Sequence, residues 1–187
     1  MKKGHLFMLS GPAGAGKGTL RKILFHAMPE LFFSASCTTR SPRASEVDGQ
    51  DYYFIAVEQF ERLVREEAFL EWANVHGNMY GTRRKDVEEC LARGGNMILE
   101  IDVQGCRQVK GRMPEAIRIF ITVPSLDELE QRLEERGTET PEQLHLRLRN
   151  AAKELTQAKE YEHIIVNDDV NIASQQLIAL VKGYVEQ

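Results

Sequence analysis

The sequence predicts an α/β protein whose helices flank a mainly parallel β-sheet. Short apolar runs rich in β-branched residues alternate with patterns of helical period along most of the chain, and this alternation is typical of a doubly wound parallel sheet. A glycine-rich loop separates the first apolar run from the first helical pattern. Residues 38–82 break the alternation with several short strand patterns. We therefore expect one domain of 187 residues that carries a small antiparallel insertion.

The glycine-rich loop lies in residues 6–20, LFMLSGPAGAGKGTL. A strand, a glycine-rich loop and a helix start follow one another here in the order that a phosphate-binding P-loop requires. A glycine-rich turn with a surface lysine is the alternative, and the flanking strand and helix argue against it. We therefore predict a sheet of the P-loop NTPase type. The predicted site for the phosphates of a nucleotide consists of Gly11, Pro12, Ala13, Gly14, Ala15, Gly16, Lys17, Gly18 and Thr19.

One position in this loop departs from the usual pattern. A serine or threonine normally follows the lysine, and its hydroxyl binds Mg²⁺. Here Gly18 follows Lys17, and the hydroxyl comes one residue later at Thr19. The GKGT ending resembles that of adenylate kinases. We expect phosphate binding to be intact, and Mg²⁺ to be held by Thr19, through water, or by a carboxylate elsewhere.

The remaining elements follow from periodicity and from local stop and start signals. Pro29 ends the first helical pattern, Ser125 is placed to cap a helix with Glu128 in its first turn, and Pro141 follows Thr140 as a first-turn proline. The predicted strands are residues 5–10, 32–37, 52–55, 70–75, 79–82, 97–101, 117–123 and 163–167. The predicted helices are residues 20–28, 57–67, 83–93, 125–135, 141–161 and 171–185.

Composition limits the classes of function. The net charge of −4 and the pI of about 5.8 argue against general binding of nucleic acid or membrane. Three unevenly spaced cysteines offer neither a zinc motif nor a disulfide framework. The N-terminal apolar run is too short for a signal peptide. We expect a cytoplasmic protein, and a homo-oligomer is compatible with the sequence.

Several motifs together resemble the guanylate kinase family of nucleoside monophosphate kinases. Residues 36–54 match S-x-T-T-R-x-x-R-x-x-E-x-x-G-x-D-Y-x-F. The match continues through residues 69–73 (FLEWA), 79–82 (MYGT), 98–105 (ILEIDVQG), 136–140 (RGTET) and 165–169 (IVNDD), and so covers nearly the whole chain. The resemblance implies a parallel core of residues 1–37, 83–124 and 151–187, a GMP-binding insertion at 38–82 and a mobile lid at 125–150.

The resemblance also implies which residues hold the acceptor nucleotide. A dianionic phosphate needs several charge-assisted donors, and Glu46 lies as an acceptor among the arginines. Guanine presents N1–H and a 2-amino group as donors, which one carboxylate accepts together, whereas adenine lacks this pair. Glu71 would therefore be unpaired against AMP, which is how a site rejects an analogue. The implied phosphate ligands are Ser36, Arg40, Arg43, Tyr52 and Tyr80, and the implied base ligands are Glu71, Thr82 and Ser36.

Charged residues implied in catalysis come from the strand ends and the lid. Asp102 follows an apolar strand as a Walker-B-like carboxylate does, and by resemblance it lies near the GMP and the metal. Glu100 lies two residues earlier on the same face and is a further expected substrate-binding residue. A structural ion pair with an arginine is the alternative for Glu100. The implied catalytic set is Lys17, Arg43, Asp102, Arg132, Arg136 and Arg147. By the same resemblance, Asn167 and Asp168 lie against the adenine of ATP, while Arg149 is either a further lid arginine or solvent-facing.

The resemblance implies the reaction ATP + GMP to ADP + GDP with Mg²⁺, dGMP as a second acceptor, and a role in GMP recycling and purine metabolism. One alternative is a catalytically inactive guanylate-kinase-like module that binds phosphopeptides, which tends to lack a working P-loop and lid. Another is a P-loop kinase for AMP or a ribose bisphosphate, against which Glu71, Tyr80 and Thr82 argue.

Overall fold

A computed structural model describes residues 3–43, 46–75, 77–135 and 140–186. Its central sheet is five-stranded, and all its pairings are parallel, in the order β2-β7-β1-β8-β9. The first strand, β1, is buried along its whole length because both faces of the sheet are covered. The strands are β1 (Leu6–Ser10), β2 (Phe32–Phe33), β7 (Met97–Glu100), β8 (Ile117–Thr122) and β9 (His163–Val166).

Helices cover the two faces of this sheet, and the alternation of β1 divides the core between them. Phe7 and Leu9 join one apolar cluster, while Leu6 and Met8 join another on the opposite face. The flanking helices are α1 (Lys17–Ala27), α3 (Arg84–Ala92), α4 (Val103–Arg112), α5 (Leu126–Glu135), α6 (Pro141–Leu155) and α7 (Val170–Val185). The predicted parallel sheet flanked by helices is confirmed.

A second, four-stranded sheet has the order β4-β3-β6-β5 and carries helix α2 (Val57–Arg65). Two of its pairings are antiparallel, and β3 with β4 is parallel. Its strands are β3 (Ser36–Thr38), β4 (Tyr52–Phe54), β5 (Phe69–Val75) and β6 (Asn78–Arg83). Phe60 of α2 stacks on Phe69, with ring centroids 4.5 Å apart, and closes a small core with Cys37.

Several details differ from the sequence prediction, beginning at the edge of the central sheet. The predicted strand at residues 32–37 is two strands in different sheets, because the chain leaves the edge of the central sheet after Ser34 donates to the carbonyl of Ile98. Helix α4 was not predicted, because Gly105, Gly111 and several polar residues interrupt its apolar periodicity.

The capping predictions for helices α5 and α6 are confirmed. Ser125 Oγ accepts a hydrogen bond from the backbone N–H of Glu128 at 3.1 Å. Thr140 and Gln143 form a reciprocal capping box, and Pro141 takes the first turn of α6. The predicted helix at 141–161 ends earlier, at Leu155, and a short 3₁₀ turn at Ala158–Glu160 follows it.

Candidate active site

A cavity of about 640 Å³ lies between the glycine-rich loop and the second sheet, and its volume is in the range of small-molecule sites. The predicted site residues that line it are Gly11, Ala13, Gly16, Lys17, Gly18, Thr19, Ser36, Arg43, Glu46, Tyr52, Glu71, Tyr80, Glu100 and Asp102. Among the described residues, the predicted ones outside its lining are Pro12, Gly14, Ala15, Arg40, Thr82, Arg132, Arg147, Asn167 and Asp168.

The glycine-rich loop has a backbone conformation that only glycine adopts easily. Gly11 and Gly16 have φ angles of 133° and 85°. A Cβ on Gly11 would lie 2.0 Å from the carbonyl oxygen of Ile121, and one on Gly16 would lie 2.3 Å from Asn167 Nδ2. The loop is therefore packed directly onto the ends of β8 and β9.

Lys17 closes the loop on itself. Its Nζ donates hydrogen bonds to the carbonyl oxygens of Gly11 at 2.5 Å and Pro12 at 2.9 Å. Helix α1 begins at Lys17, so Gly18 and Thr19 stand in its first turn, where N–H groups have no intrahelical partner. The ammonium group, the helix N-terminus and the loop amides together form an anion site.

The opposite end of the cavity holds a buried carboxylate. Glu71 of β5 is 4% exposed, and its Oε1 accepts a hydrogen bond from Thr82 Oγ1 at 2.6 Å across the β5–β6 pair. Burial raises the pKa of Glu71 to about 7, and the charge of Asp102 adds to the rise. The Glu71 carboxylate can accept further hydrogen bonds from a bound group in a setting that excludes water, where a ligand without matching donors is costly to bind.

Cationic and phenolic groups stand beside the glutamate pocket. Arg40 donates to Glu46 Oε1 at 2.8 Å, and this bond raises the pKa of Arg40 and lowers that of Glu46. The rings of Tyr52 and Tyr80 meet edge-on at 6.0 Å, and burial raises the pKa of Tyr52. The exposed Arg43 lines the cavity, and its backbone N–H donates to Glu46 Oε2.

The two carboxylates at the end of β7 have different settings. Asp102 caps α4, and its Oδ1 accepts from the N–H of Gly105 at 2.8 Å. Glu100 forms an ion pair of 3.0 Å with Arg21, whose guanidinium lies over the ring of Phe33. The structural ion pair considered for Glu100 therefore exists, although the carboxylate still lines the cavity.

Of the arginines predicted for the lid, the two that the structure describes, Arg132 and Arg147, do not line the cavity. Arg132 donates to Glu128 Oε1 at 2.8 Å and to the carbonyl oxygen of Asn167 at 2.9 Å. Arg147 is half-buried on α6, and Arg149 is exposed. Arg136 lies outside the described residues.

The two residues predicted to lie against adenine, Asn167 and Asp168, differ in their exposure to solvent. Asn167 is buried, and its Nδ2 donates to the carbonyl oxygen of Ala15 at 2.8 Å, so it holds the loop from behind. Asp168 is exposed. The amide of Asn167 therefore has a structural partner in the loop.

Sequence reasoning did not identify Glu154. It lies near the end of α6, lines the cavity, and has a pKa raised chiefly by burial and opposed by the charge of Lys17. Arg21, one helical turn after Lys17, was also missed, although the spacing could have indicated it.

No helix in the described part of the chain is long and apolar enough to span a membrane. The described residues likewise hold no group of three or more acidic, histidine or cysteine side chains arranged for a metal ion. All three cysteines are free and buried.

The cavity joins a P-loop to a second site, which is made of arginine, tyrosine and glutamate side chains. This combination is typical of the P-loop nucleoside monophosphate kinases. A sequence model described as guanylate kinase matches residues 3–184. The chain is 49% identical to a guanylate kinase of Synechocystis sp., covering 96% of this chain and 94% of that protein. It is 47% identical to one of Carboxydothermus hydrogenoformans, covering 97% and 89%. The chain belongs to the guanylate kinase family.

A solved structure supports the same conclusion. The crystal structure of guanylate kinase from Anaplasma phagocytophilum superposes with a TM-score of 0.80 at 30% identity, covering 100% of this chain and 89% of that chain. A shikimate kinase from Bacteroides thetaiotaomicron, 16% identical with a TM-score of 0.51, shares the fold alone.

Proposed function

We propose that this protein transfers the γ-phosphoryl group of ATP to GMP, and to dGMP, and that Glu71 selects the guanine base. The observation that supports this proposal is the buried carboxylate of Glu71. Thr82 hydrogen-bonds it, and it lines the same cavity as the P-loop. Two acceptor oxygens suit the N1–H and 2-amino donors of guanine. Adenine offers no such pair and would leave the carboxylate unsatisfied, which lowers kcat/KM for AMP by orders of magnitude relative to GMP.

The acceptor phosphate is proposed to lie among Ser36, Arg40, Arg43, Tyr52 and Tyr80. Arg40 has its guanidinium oriented by Glu46 at 2.8 Å, so little side-chain freedom is lost when it binds an anion. The two tyrosines supply hydroxyl donors at one edge of the cavity. This cluster neutralises the acceptor and leaves one phosphate oxygen as the attacking atom.

The donor triphosphate is proposed to bind the glycine-rich loop. Lys17 would exchange its two loop carbonyls for the terminal phosphates, while the amides of Gly16, Gly18 and Thr19 point at the phosphate chain. We propose that Asn167 acts on ATP through the loop that it anchors, with Asp168 nearer the base.

The residues present fit Mg²⁺. The ion is usually held by one or two protein oxygens together with substrate phosphates, and Thr19 and Asp102 both line the cavity. Thr19 is the proposed hydroxyl ligand, Asp102 the carboxylate, with water in between. When bound, the ion supplies charge neutralisation between donor and acceptor phosphates.

Transfer itself needs positioning and neutralisation rather than a protein nucleophile. We propose that the insertion at 38–82 and the lid at 125–150 close on the substrates and exclude water, which limits ATP hydrolysis. Closure would bring Arg132, Arg136 and Arg147 to the transferred group. Arg132 would then release Asn167 and Glu128, so its present bonds define an open state.

The reaction is proposed to take place in the cytoplasm, where both nucleotides are available. The two alternatives lose support for separate reasons. A phosphopeptide module has no use for the P-loop and Lys17, and the bacterial relatives are named as kinases. A kinase for AMP or a ribose bisphosphate has no use for the Glu71–Thr82 pair.

The test is ADP release with ATP and Mg²⁺, with GMP, AMP, CMP and UMP offered in parallel. We expect turnover with GMP and not with the others. Glu71→Gln should lose most GMP turnover, because the amide replaces one acceptor by a donor. Glu88→Gln, on an exposed face of α3, is the matched control. GMP binding without turnover in the wild type would instead favour the phosphopeptide module.

A further inference from the structure

Strand β5, which carries Glu71, is an edge strand of the second sheet, with β6 as its one neighbour in the described sheet order. Its outer edge faces helix α4 of the core. Gly105, Gln108 and Arg112 are spaced three and four residues apart, so they share one face of that helix. All three meet the segment from Phe69 to Trp72.

Two of these side chains satisfy backbone groups that an edge strand leaves open. Gln108 accepts from the N–H of Trp72 at 3.2 Å through Oε1 and donates to the carbonyl of Trp72 at 2.8 Å through Nε2. Arg112 donates to the carbonyl oxygens of Phe69 and Leu70. Gln108 and Arg112 thus take the place of a neighbouring strand, and they hydrogen-bond the backbone on both sides of Glu71.

The third residue leaves room for the carboxylate. A Cβ on Gly105 would lie 2.5 Å from Glu71 Oε2 and 3.3 Å from Asp102 Oδ1. The φ angle of Gly105 is not in the left-handed region, so the position needs glycine for space rather than for backbone conformation. Gly105 also donates its N–H to Asp102, so one residue touches both carboxylates.

We propose that the Gly105–Gln108–Arg112 face of α4 is a positioning device that sets the selectivity for the acceptor base by fixing Glu71 beside Asp102. None of the three residues lines the cavity, so each acts through Glu71 and not by touching the nucleotide. The helix begins at Asp102, directly after the core strand β7. The position of Glu71 is therefore fixed relative to the central sheet, which carries the P-loop, as well as by the second sheet to which β5 belongs.

Gly105→Ala gives the sharpest test, and Gly111→Ala is its control. Both glycines are in α4, where alanine is the better helix former, and a Cβ on Gly111 meets nothing within 4 Å. The added methyl at 105 must displace the Glu71 carboxylate. IMP, which lacks the 2-amino group of GMP, is the comparison substrate, because it loses one of the two contacts.

The proposal rests on GMP being the acceptor, and the wild-type arm tests that separately. We expect Gly105→Ala to lower the preference for GMP over IMP about tenfold, with the KM for ATP and the melting temperature close to wild type. Gly111→Ala should leave the preference for GMP over IMP, the KM for ATP and the melting temperature close to wild type. A preserved GMP-to-IMP ratio in Gly105→Ala would overturn the proposal, even if overall activity fell.

A second variant keeps the test decisive if Gly105→Ala fails to fold. Gln108→Leu removes both bonds to Trp72 at similar volume, and Gln176→Leu, exposed on α7, is its control. The same fall in the GMP-to-IMP ratio is expected, and an unchanged ratio again overturns the proposal. If the wild type binds but does not turn over GMP, the dissociation constants for GMP and IMP provide the ratio, and the proposed reaction alone has failed.

Discussion

Thr82 donates its hydroxyl hydrogen to Glu71 Oε1 at 2.6 Å, at a place where Thr82 is 0% exposed. The two residues face each other in the β5–β6 register. The bond partly offsets the burial that raises the pKa of Glu71. It also holds one carboxylate oxygen in place and leaves the other toward Gly105 and the cavity, so the pair is the fixed point of the proposed base site.

Replacing Thr82 by valine should weaken GMP binding and leave ATP binding intact. Valine has nearly the same shape, so the change removes the hydroxyl and leaves Glu71 without this donor. We expect the KM for GMP to rise about tenfold, the amount that one buried hydrogen bond to a charged group supplies. The KM for ATP serves as the internal control. An unchanged KM for GMP would mean that Glu71 is positioned without Thr82.

Replacing Glu71 by glutamine should stabilise the protein above neutral pH. Burial raises the pKa of Glu71 from 4.5 to about 7, so the native state binds the proton more tightly than the unfolded chain. Stability contributed by the protonated group is present below the unfolded pKa and is lost as the pH rises through the folded one. The variant, which stays neutral, should therefore gain up to roughly 3 kcal/mol in the free energy of unfolding at alkaline pH.

Denaturant melts of wild type and Glu71→Gln at about pH 5 and about pH 8 measure this difference. The two proteins should be close in stability at the lower pH and diverge at the higher one. Equal stability at both values would show that the carboxylate is not destabilised by its site. The gain in stability should accompany the loss of GMP turnover, as expected for a site built for function.

Gly18→Ser tests the departure of the P-loop from its usual pattern. A Cβ on Gly18 meets nothing within 4 Å, so the serine fits without displacing the loop. Its hydroxyl would stand directly after Lys17, where a metal ligand is usual. We expect half-maximal activity at a lower Mg²⁺ concentration, with no change in the preference for GMP. An unchanged Mg²⁺ titration would show that this hydroxyl is not needed. Gly111→Ser is the control, because it also places a serine in a helix at a position where a Cβ meets nothing within 4 Å.

Arg132→Leu should reduce kcat far more than either KM. In the structure Arg132 hydrogen-bonds Glu128 and the carbonyl oxygen of Asn167, and the proposed closure would bring its charge to the reacting phosphoryl group. Loss of one such charge costs about a hundredfold or more in kcat. Arg65→Leu, at an exposed site on α2, is the control. A variant with normal kcat would place Arg132 outside the reaction and leave it a structural role at Asn167.

Much of the fold could be predicted because its signals are local. The P-loop between β1 and α1, the caps at Ser125 and Thr140, and the buried strands depend on residues within a few positions of one another. Helix α4 escaped prediction because Gly105 and Gly111 weaken its helical pattern, and because the residues of β5 that it contacts are distant in the sequence.

For the site, too, local features could be predicted and contacts between distant segments could not. The residue types for a phosphate cradle at Lys17 and for a carboxylate reader at Glu71 could be read from motifs. The partners could not, because nothing in the spacing joins Glu100 to Arg21, or Asn167 to the carbonyl of Ala15 across 152 residues.

The sequence by itself determined most of the element order and the glycine-rich loop, since these follow from covalent neighbours and from the burial of apolar residues. The residue types proposed to meet a guanine nucleotide came from the resemblance of its motifs to the guanylate kinase family. Only the tertiary structure decided that Glu71 lies against Gly105 and is buried enough for its pKa to reach about 7, and that Gln108 of α4 hydrogen-bonds the backbone of the next residue, Trp72. Burial and close approach between distant segments are properties of packing, and packing brings together residues that are far apart in the chain.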